Sequence, residues 1–448
     1  MVSQFAWQCF GRFLDQEATL SEFVIKGGQI LDAGVLRSAD LLVRDGVIAQ
    51  IGSGLSASRV LDAEGAVVTP GFVDLHVHLR EPGDEDAETI ETGARAAALG
   101  GYTAVVAMPN TRPPLDDPIL VRAVQAIGAG AICEVISSGC ITIGRDGVAL
   151  APLGEMHALG VRIFTDDGSC VMSAGLMRRA LEYSLGLEGS VIAQHAEDDS
   201  MCSGGSMHEG EWSSRLGIPG RPGEAEAIIV ARDIRLAALT GARIHFLHLS
   251  TAAAVELVRS AKRDGVRVTC EVAPHHFTLT DEACAGFDPA FKVHPPLRSA
   301  SDVAAVRAGL SDGTIDAIAT DHAPHTPESK ERPFEEAPPG MLGLETAAAL
   351  AVTELVKSGV MSLSEAFSVL SSNPASIAGI SDRHGAPLAE GRIANICVFD
   401  PNEEWIVDPG RLASKSRNTP YAGRTLTGRA RHTILRGEAV VVDSAATR

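Results

Sequence analysis

Aromatic residues are scarce. Phe, Tyr and Trp together make up 4% of the 448 residues, while apolar residues reach 45%. The apolar set is dominated by Ala, Val and Ile, which suits a large barrel or layered α/β protein, and so high an apolar fraction excludes a disordered chain. Basic runs are missing too: no five consecutive residues are basic, the formal charge is −19 and the pI is near 5.2. That excludes nucleic acid bound through its phosphates. It does not exclude a small anionic substrate, because local Arg, His or metal charge can outweigh the net field. No uninterrupted apolar stretch approaches the ~20 residues that a membrane span needs, so no membrane contact is expected. None of the eight cysteines (Cys9, Cys133, Cys140, Cys170, Cys202, Cys270, Cys284 and Cys397) forms a C-x-x-C pair. They read as buried, reduced thiols of a cytoplasmic protein. Residues 1–20 lack a basic n-region, and Gln8, Gly11 and Arg12 break their apolar run, so they read as an N-terminal extension and not as a signal peptide.

What the chain does have is two kinds of rhythm. Over 21–70 the pattern changes every few residues: FVIKGGQIL, ADLLVRDGVIAQIG and SRVLDAEGAVVTPG are short strands parted by Gly and Asp-Gly turns, with a hairpin at Asp45-Gly46. The same pattern returns over 384–448 in GRIANICVFD, EEWIVD and HTILRGEAVVV. The two ends are expected to join in one small β-rich domain. Between them, over 71–383, strands alternate with helices. The strand candidates are FVDLHV, YTAVVAMP, AICEVIS, VRIFTD, SVIAQHAE, ARIHFLHLS, VRVTCEVAP and DAIATDHAP; the helical stretches include ETGARAAALG, DPILVRAVQAIGAG, GLMRRALEYSLG, EAEAIIVARDIRLAALTG and TAAAVELVRSAKRDG. This alternation predicts an α/β fold, a TIM-like (β/α)8 barrel whose chemistry lies at the C-terminal ends of its strands. A doubly wound open sheet is the alternative, but its first strand would usually run into a Gly-rich phosphate loop, and here that strand runs into histidines.

Those strand ends carry most of the 14 histidines. The first ends in His76-Val77-His78, the fourth in Asp166-Asp167-Gly168, the fifth in His195-Ala196-Glu197, the sixth in His248, the seventh in His275-His276 and the eighth in Asp321-His322-Ala323-Pro324-His325. One histidine of this kind is more often structural than a ligand; several at one barrel face reverse that balance. Residues i and i+2 of a strand share a face, so His76 and His78 can offer two imidazoles to one metal ion, with Asp321 completing the site. His195 and His248 can hold a second ion, and an aspartate can lie between them. Nitrogen and oxygen donors without thiolate fit zinc, with cobalt or manganese as alternatives. A pair of ions can make water nucleophilic at neutral pH.

Taken together, DLHVHLREPG (74–83), MPNT (108–111), FTDDG (164–168), HAEDD (195–199), LHLST (247–251), PHHFTLT (274–280), PPLRS (295–299), ATDHAPH (319–325) and SKSRNTPYAG (414–423) resemble the amidohydrolase superfamily, and closely its dihydroorotase branch in the long bacterial form. The resemblance covers nearly the whole chain after about residue 20. It implies two zinc ions, one on His76, His78 and Asp321, the other on His195 and His248, with Asp167 touching both; the family pattern, through its spacing to His195, implies Asp167 in preference to Asp166. It implies Asp321 as the catalytic proton carrier, and Arg80, Asn110 and His325 as substrate-binding residues alongside His78. The implied reaction interconverts N-carbamoyl-L-aspartate and dihydroorotate plus water, a step of pyrimidine biosynthesis, with a possible homodimer or association with aspartate carbamoyltransferase.

Two positions depart from the family pattern. His294 stands where N-P-P-L-R would place Asn, and Pro338-Pro339-Gly340 stands where P-F-G is usual. His294, Pro339 and Gly340 are nevertheless expected to meet substrate. A histidine there would add a pH dependence near its ordinary pKa of ~6.5. The alternatives are another cyclic-amide hydrolase of hydantoinase or allantoinase type, whose relatives usually carry a lysine where VRIFTDDG has none, and a non-catalytic partner protein, which would be expected to lose ligands. Cys202 reads as structural, since no His/Asn arrangement supports a nucleophile. The loop 210–223 reads equally as a surface excursion or a part of the rim. The segment 326–340 reads as solvated by composition, with a substrate cover as its functional alternative. His275 and His276 are read as support or packing.

Overall fold

The computed structural model describes residues 22–32 and 34–448; the extension expected at 1–20, Cys9 included, lies outside the described residues. Phe72–Val77 (β1) and Tyr102–Ala107 (β2) are buried at every position, as strands of a parallel sheet covered on both faces are. With Glu134–Ser137 (β3) they form one parallel sheet in the order β3-β2-β1. Ile163–Phe164 (β4), Val191–Gln194 (β5), Ile244–Phe246 (β6), Val268–Val272 (β7) and Ala317–Ile318 (β8) follow one another in a second parallel sheet. Parallel bridges Gly139–Phe164 and Val77–His322 link the sheets at both edges, so the pairing returns to β1.

The connecting helices fall where their apolar spacing predicts: Ile90–Leu99, Pro118–Gly128, Ala174–Ser184, Gly223–Thr240 and Ala252–Arg263. Their starts are chemically marked. Thr89, Asp117, Ser173 and Thr251 each accept a backbone N–H of the first turn through the side chain, and Pro118 occupies a first-turn position where its missing N–H costs nothing.

Both chain ends share one seven-stranded sheet. Val67–Pro70 pairs parallel with Gln29–Asp32 and antiparallel with Ile396–Ile406, and the sheet continues through Thr425–Leu435 and Glu438–Val442. The expected separate strand EEWIVD is instead the second half of Ile396–Ile406, after a register shift between Asp400 and Glu404. The hairpin at Asp45-Gly46 forms as read, with φ of 54° and 80° and Arg44 opposite Val47. The chain steps from this sheet into β1 through Gly71, where a Cβ would come within 2.2 Å of Thr103.

One expectation needs correction. The parallel strands are shorter than their apolar runs suggest, and β5, β6 and β8 stop before His195, His248 and Asp321. These side chains stand in the turns just beyond. His248 and Asp321 have φ of 32° and 48°, left-handed values that a strand cannot hold, and such strain in non-Gly residues gathers at functional sites.

Candidate active site

Asp74, two residues before His76, starts the assembly. Its Oδ1 accepts the backbone N–H groups of His76 and Thr320, each at 3.0 Å, and the His78 N–H donates to the His322 carbonyl at 2.9 Å. The end of β1 is thereby tied to the chain after β8. His76 Nε2 then lies 3.3 Å from Asp167 Oδ2 and 3.5 Å from Asp321 Oδ1. His78 Nε2 lies 3.2 Å from Asp321 Oδ1 and 3.6 Å from Asp167 Oδ2. On the other side of Asp167, its Oδ1 is 3.5 Å from both His195 Nδ1 and His248 Nε2. Two donor groups emerge, His76/His78/Asp321 and His76/Asp167/His248, all buried.

Asp166 does not take part. Its carboxylate turns away and accepts the backbone N–H groups of Ile141 and Thr142 and the Thr142 hydroxyl. Of the two adjacent aspartates, only Asp167 faces the imidazoles.

The charges around these rings favour a cation. Burial would suppress ionisation of His76, but Asp167, Glu271 and Asp321 override it and raise its pKa well above the ordinary value. His195 is likewise raised to about 9, against burial, by Asp167 and Glu197. Burial would raise the Asp321 carboxyl, yet the hydrogen bond from His78 and the other imidazoles hold it well below the carboxylate range. The nitrogen lone pairs fit the same conclusion. His76 Nε2 is buried without a hydrogen-bond partner, and His195 Nδ1 and His248 Nε2 converge to 2.9 Å. Imidazole nitrogens and carboxylate oxygens of this kind suit a divalent ion.

Glu271 and Glu197 orient the rings from behind. Glu271 Oε1 meets His76 Nδ1 at 3.0 Å, and its other oxygen meets His245 at 3.1 Å. Glu197 Oε2 meets His195 Nε2 at 3.2 Å. Ligating histidines commonly use the second ring nitrogen in this way. Sequence reading missed both glutamates and Asp74. The available signal was a carboxylate set inside an otherwise apolar strand, as in VTCEV and FVDLHV.

A cavity of about 270 Å³ opens above these groups, and every expected substrate residue lines it: His78, Arg80, Asn110, His294, His325, Pro339 and Gly340. Asn110 Oδ1 meets His78 Nδ1 at 2.9 Å. Arg80, at φ 61°, donates from Nε to the Pro324 carbonyl at 3.0 Å, and its Nη2 lies 3.4 Å from His325 Nε2. That imidazole nitrogen also meets the Pro339 carbonyl at 2.8 Å, which requires it to be the protonated one. It cannot then accept from Arg80, whose Nη2 is left for a ligand. Gly340 is held at φ 137°, and a Cβ there would meet Ala323 Cβ at 2.7 Å.

Several sequence readings sharpen here. His294 faces the cavity, but burial and the neighbouring Arg221 push its pKa down to about 3, so it is neutral near pH 6.5 and the expected titration there does not arise from it. The segment 326–340 is tied in place: Lys330 and Lys292 donate to the Pro338 and Glu335 carbonyls at 2.9 and 2.8 Å, and Phe334 and Ala337 are buried. Loop 210–223 belongs to the rim, since it carries Arg221 into the cavity lining. Cys202 is buried with its thiol pushed up to about 11, a poor nucleophile. His275 approaches Asp321 Oδ2 at 3.9 Å, and His276 meets the Pro295 carbonyl at 3.0 Å.

A family model described as dihydro-orotase-like matches residues 65–254. A dihydroorotase of Pelotomaculum thermopropionicum is 51% identical, covering 94% of this chain and 99% of its own; one of Streptomyces coelicolor is 46% identical, covering 96% and 100%. The chain belongs to the dihydroorotase family. Its fold is that of the neighbouring cyclic-amide hydrolases. An L-hydantoinase (dihydropyrimidinase) from Arthrobacter aurescens superposes with a TM-score of 0.86 at 27% identity over 95% of this chain and 97% of its own. A dihydropyrimidinase from Brevibacillus agri gives 0.83 at 24% identity, over 95% and 96%. As a dihydroorotase-family member, the chain carries candidate metal-ligand groups at the mouth of an α/β fold, and among the described residues no helix is long and apolar enough to cross a membrane.

Proposed function

We propose that this chain interconverts dihydroorotate and N-carbamoyl-L-aspartate in pyrimidine biosynthesis, using two zinc ions at the mouth of a TIM-like (β/α)8 barrel over 71–383. Residues 21–70 and 384–448 form the accompanying β domain. The observation that carries the reading is a cationic side chain, Arg80, in the same small cavity as the two imidazole–carboxylate groups. An acidic ring substituent needs such a partner, and a neutral hydantoin ring does not. The absence of lysine from VRIFTDDG agrees.

His76, His78 and Asp321 would hold one ion and His195 and His248 the other, with Asp167 contacting both. When bound, the ions supply Lewis acidity that polarises a carbonyl and lowers the pKa of water. The residues do the rest. Arg80 offers its planar fork to the substrate carboxylate, helped by Asn110 and His325. In hydrolysis water adds to the ring amide carbon and the C–N bond breaks. Asp321 takes the proton of that water and returns it to the leaving nitrogen. Of its oxygens, Oδ1 faces the ring nitrogens of His76 and His78 that would share its ion, leaving Oδ2 for this transfer. Pro339 and Gly340, pinned through His325 and Asn418, give the cavity a fixed stretch of wall for the substrate.

A cytoplasmic location is supported by seven buried free cysteines among the described residues. A homodimer or an association with aspartate carbamoyltransferase rests on the family resemblance, and light scattering with and without that enzyme tests both. The central test is an assay of the purified full chain with each substrate, with metal analysis of the same sample. Turnover of a neutral hydantoin in preference to dihydroorotate would overturn the reading.

A further inference from the structure

Among the proposed ligands, Asp167 has the least support from the sheet. Its strand, β4, is two residues long and ends at Phe164, three positions before it. The rings of His76 and His195 are steadied from behind by Glu271 and Glu197. The Asp167 carboxylate has no such partner. Beyond the imidazoles, the one donor near it among the described residues is Asn110 Nδ2, at 3.5 Å, the outer edge of hydrogen-bond reach. Its aim must therefore come from the backbone that carries it.

The loop after β3 holds that backbone from two sides. Ile141 and Thr142 take the Asp166 carboxylate. Arg145, a few residues on, turns back over the same stretch. Its Nη2 donates to the Asp167 carbonyl and, at 3.1 Å, to Ser169 Oγ. Its Nε and Nη2 also donate to the Asp166 carbonyl, at 3.4 and 3.3 Å. None of these bonds goes to a carboxylate. The guanidinium thus restrains the Asp166-Asp167 main chain and leaves the Asp167 oxygens to the imidazoles. Arg145 is itself held in place. It sits at φ 57°, left-handed backbone that a non-Gly residue keeps only where its surroundings enforce it. Its N–H donates to the Thr142 carbonyl at 3.1 Å. The neighbouring Gly144 N–H donates to Asp116 Oδ2 at 2.7 Å, and Gly147 N–H to Thr142 Oγ1 at 3.0 Å. Arg145 is not part of the cavity lining, so it meets the site through the chain it grips and not through substrate.

We propose that Arg145 is a positioning residue: it fixes the main chain of Asp166 and Asp167 so that the Asp167 carboxylate meets His76, His195 and His248 in a geometry that a divalent ion can use. The proposal rests on the reading of Asp167 as a ligand, and not on which cyclic amide the chain hydrolyses. Groups that orient a ligand from outside are commonly worth 10- to 100-fold in metal affinity.

The test is a zinc titration of the metal-free full chain against a chromophoric chelator, which needs no turnover. Arg145→Met should weaken zinc binding about 10- to 100-fold. Arg145→Lys keeps the charge but cannot span the same oxygens, and should lose less. Because Arg145 acts through Asp167, the double variant Arg145→Met/Asp167→Asn should bind zinc no more weakly than Asp167→Asn alone. Melting temperatures with and without zinc separate this from plain destabilisation: the rise on adding zinc should shrink in Arg145→Met, whatever its metal-free value. A lower metal-free melting temperature with unchanged zinc affinity would make Arg145 a structural residue and overturn the proposal, as would a further loss of affinity in the double variant. Should Arg145→Met fail to fold, Arg145→Lys carries the same comparisons. Unchanged zinc affinity in Asp167→Asn overturns the ligand reading itself; a loss there with none in either Arg145 variant overturns the proposal alone.

Discussion

Two of the cavities among the described residues bear comparison, and the larger is not the one that holds the candidate chemistry. A space of about 580 Å³ lies where the helix-bearing region meets the seven-stranded sheet, lined by Glu345, Phe399, Trp405, Arg411, Leu412 and Arg429 among others. The candidate active-site cavity has less than half that volume. In the larger space the one strongly perturbed group is Glu345, whose carboxyl burial pushes up to about 7 against hydrogen bonds from the Ala413 and Ser414 backbone. In the smaller space carboxylates and imidazoles from six stretches of chain converge with nitrogens left unpaired. What marks a reactive site here is opposed charge held out of water, and volume is a poor guide to it.

Metal removal should break the contrast most completely. Chelated, verified metal-free protein should lose all measurable dihydroorotate hydrolysis and regain it with added zinc; activity without metal would reduce the small cavity to a binding pocket. Next comes Asp321→Asn. An amide cannot carry the proton, so kcat should fall at least ~10²-fold, read together with metal content because the residue is also a proposed ligand. Arg80→Gln should act mainly on binding, raising KM for dihydroorotate roughly 10- to 100-fold as a charge-assisted contact is lost. The smallest effect on activity belongs to the larger cavity. Glu345→Gln should leave kcat and KM within about twofold, yet change the pH dependence of stability. A carboxyl whose folded pKa lies above its ordinary 4.5 stabilises the fold fully when protonated, below that ordinary value, and loses the contribution as pH rises through about 7. Wild type should therefore lose melting temperature between about pH 5 and 8 relative to Glu345→Gln, whose side chain does not ionise. Parallel melting curves for the two proteins would show that Glu345 is not held in this state.

Much of this was legible without coordinates, for local reasons. Helix ends are announced by Thr89, Asp117, Ser173 and Thr251 because a short polar side chain caps its own neighbours. The Asp45-Gly46 turn needs left-handed backbone at two adjacent residues, and that pair supplies it. His76 and His78 declare themselves by their spacing along one strand. Less legible was where each strand stops, since apolar character continues past β5, β6 and β8 into turns that are buried for a different purpose. The segment 326–340 looks solvated by composition, yet Lys292 and Lys330 fasten it through carbonyls that any residue would have offered. Arg221 sends no signal at all, because a single arginine in a Gly/Pro loop is ordinary until its surroundings are known.

Periodicity, capping residues, turn dipeptides and the donor motifs were thus determined by the sequence itself, because each depends on residues within a few positions of one another. The state of the site was decided only by the tertiary structure. His76 meets Glu271 across 195 residues of chain, Asp167 rather than Asp166 faces the imidazoles because Ile141 and Thr142 capture its neighbour, and His294 is neutral because burial and Arg221 disfavour its charge. Burial and long-range charge are properties of the assembled surroundings, and a linear sequence does not state which distant groups will share a low-dielectric space.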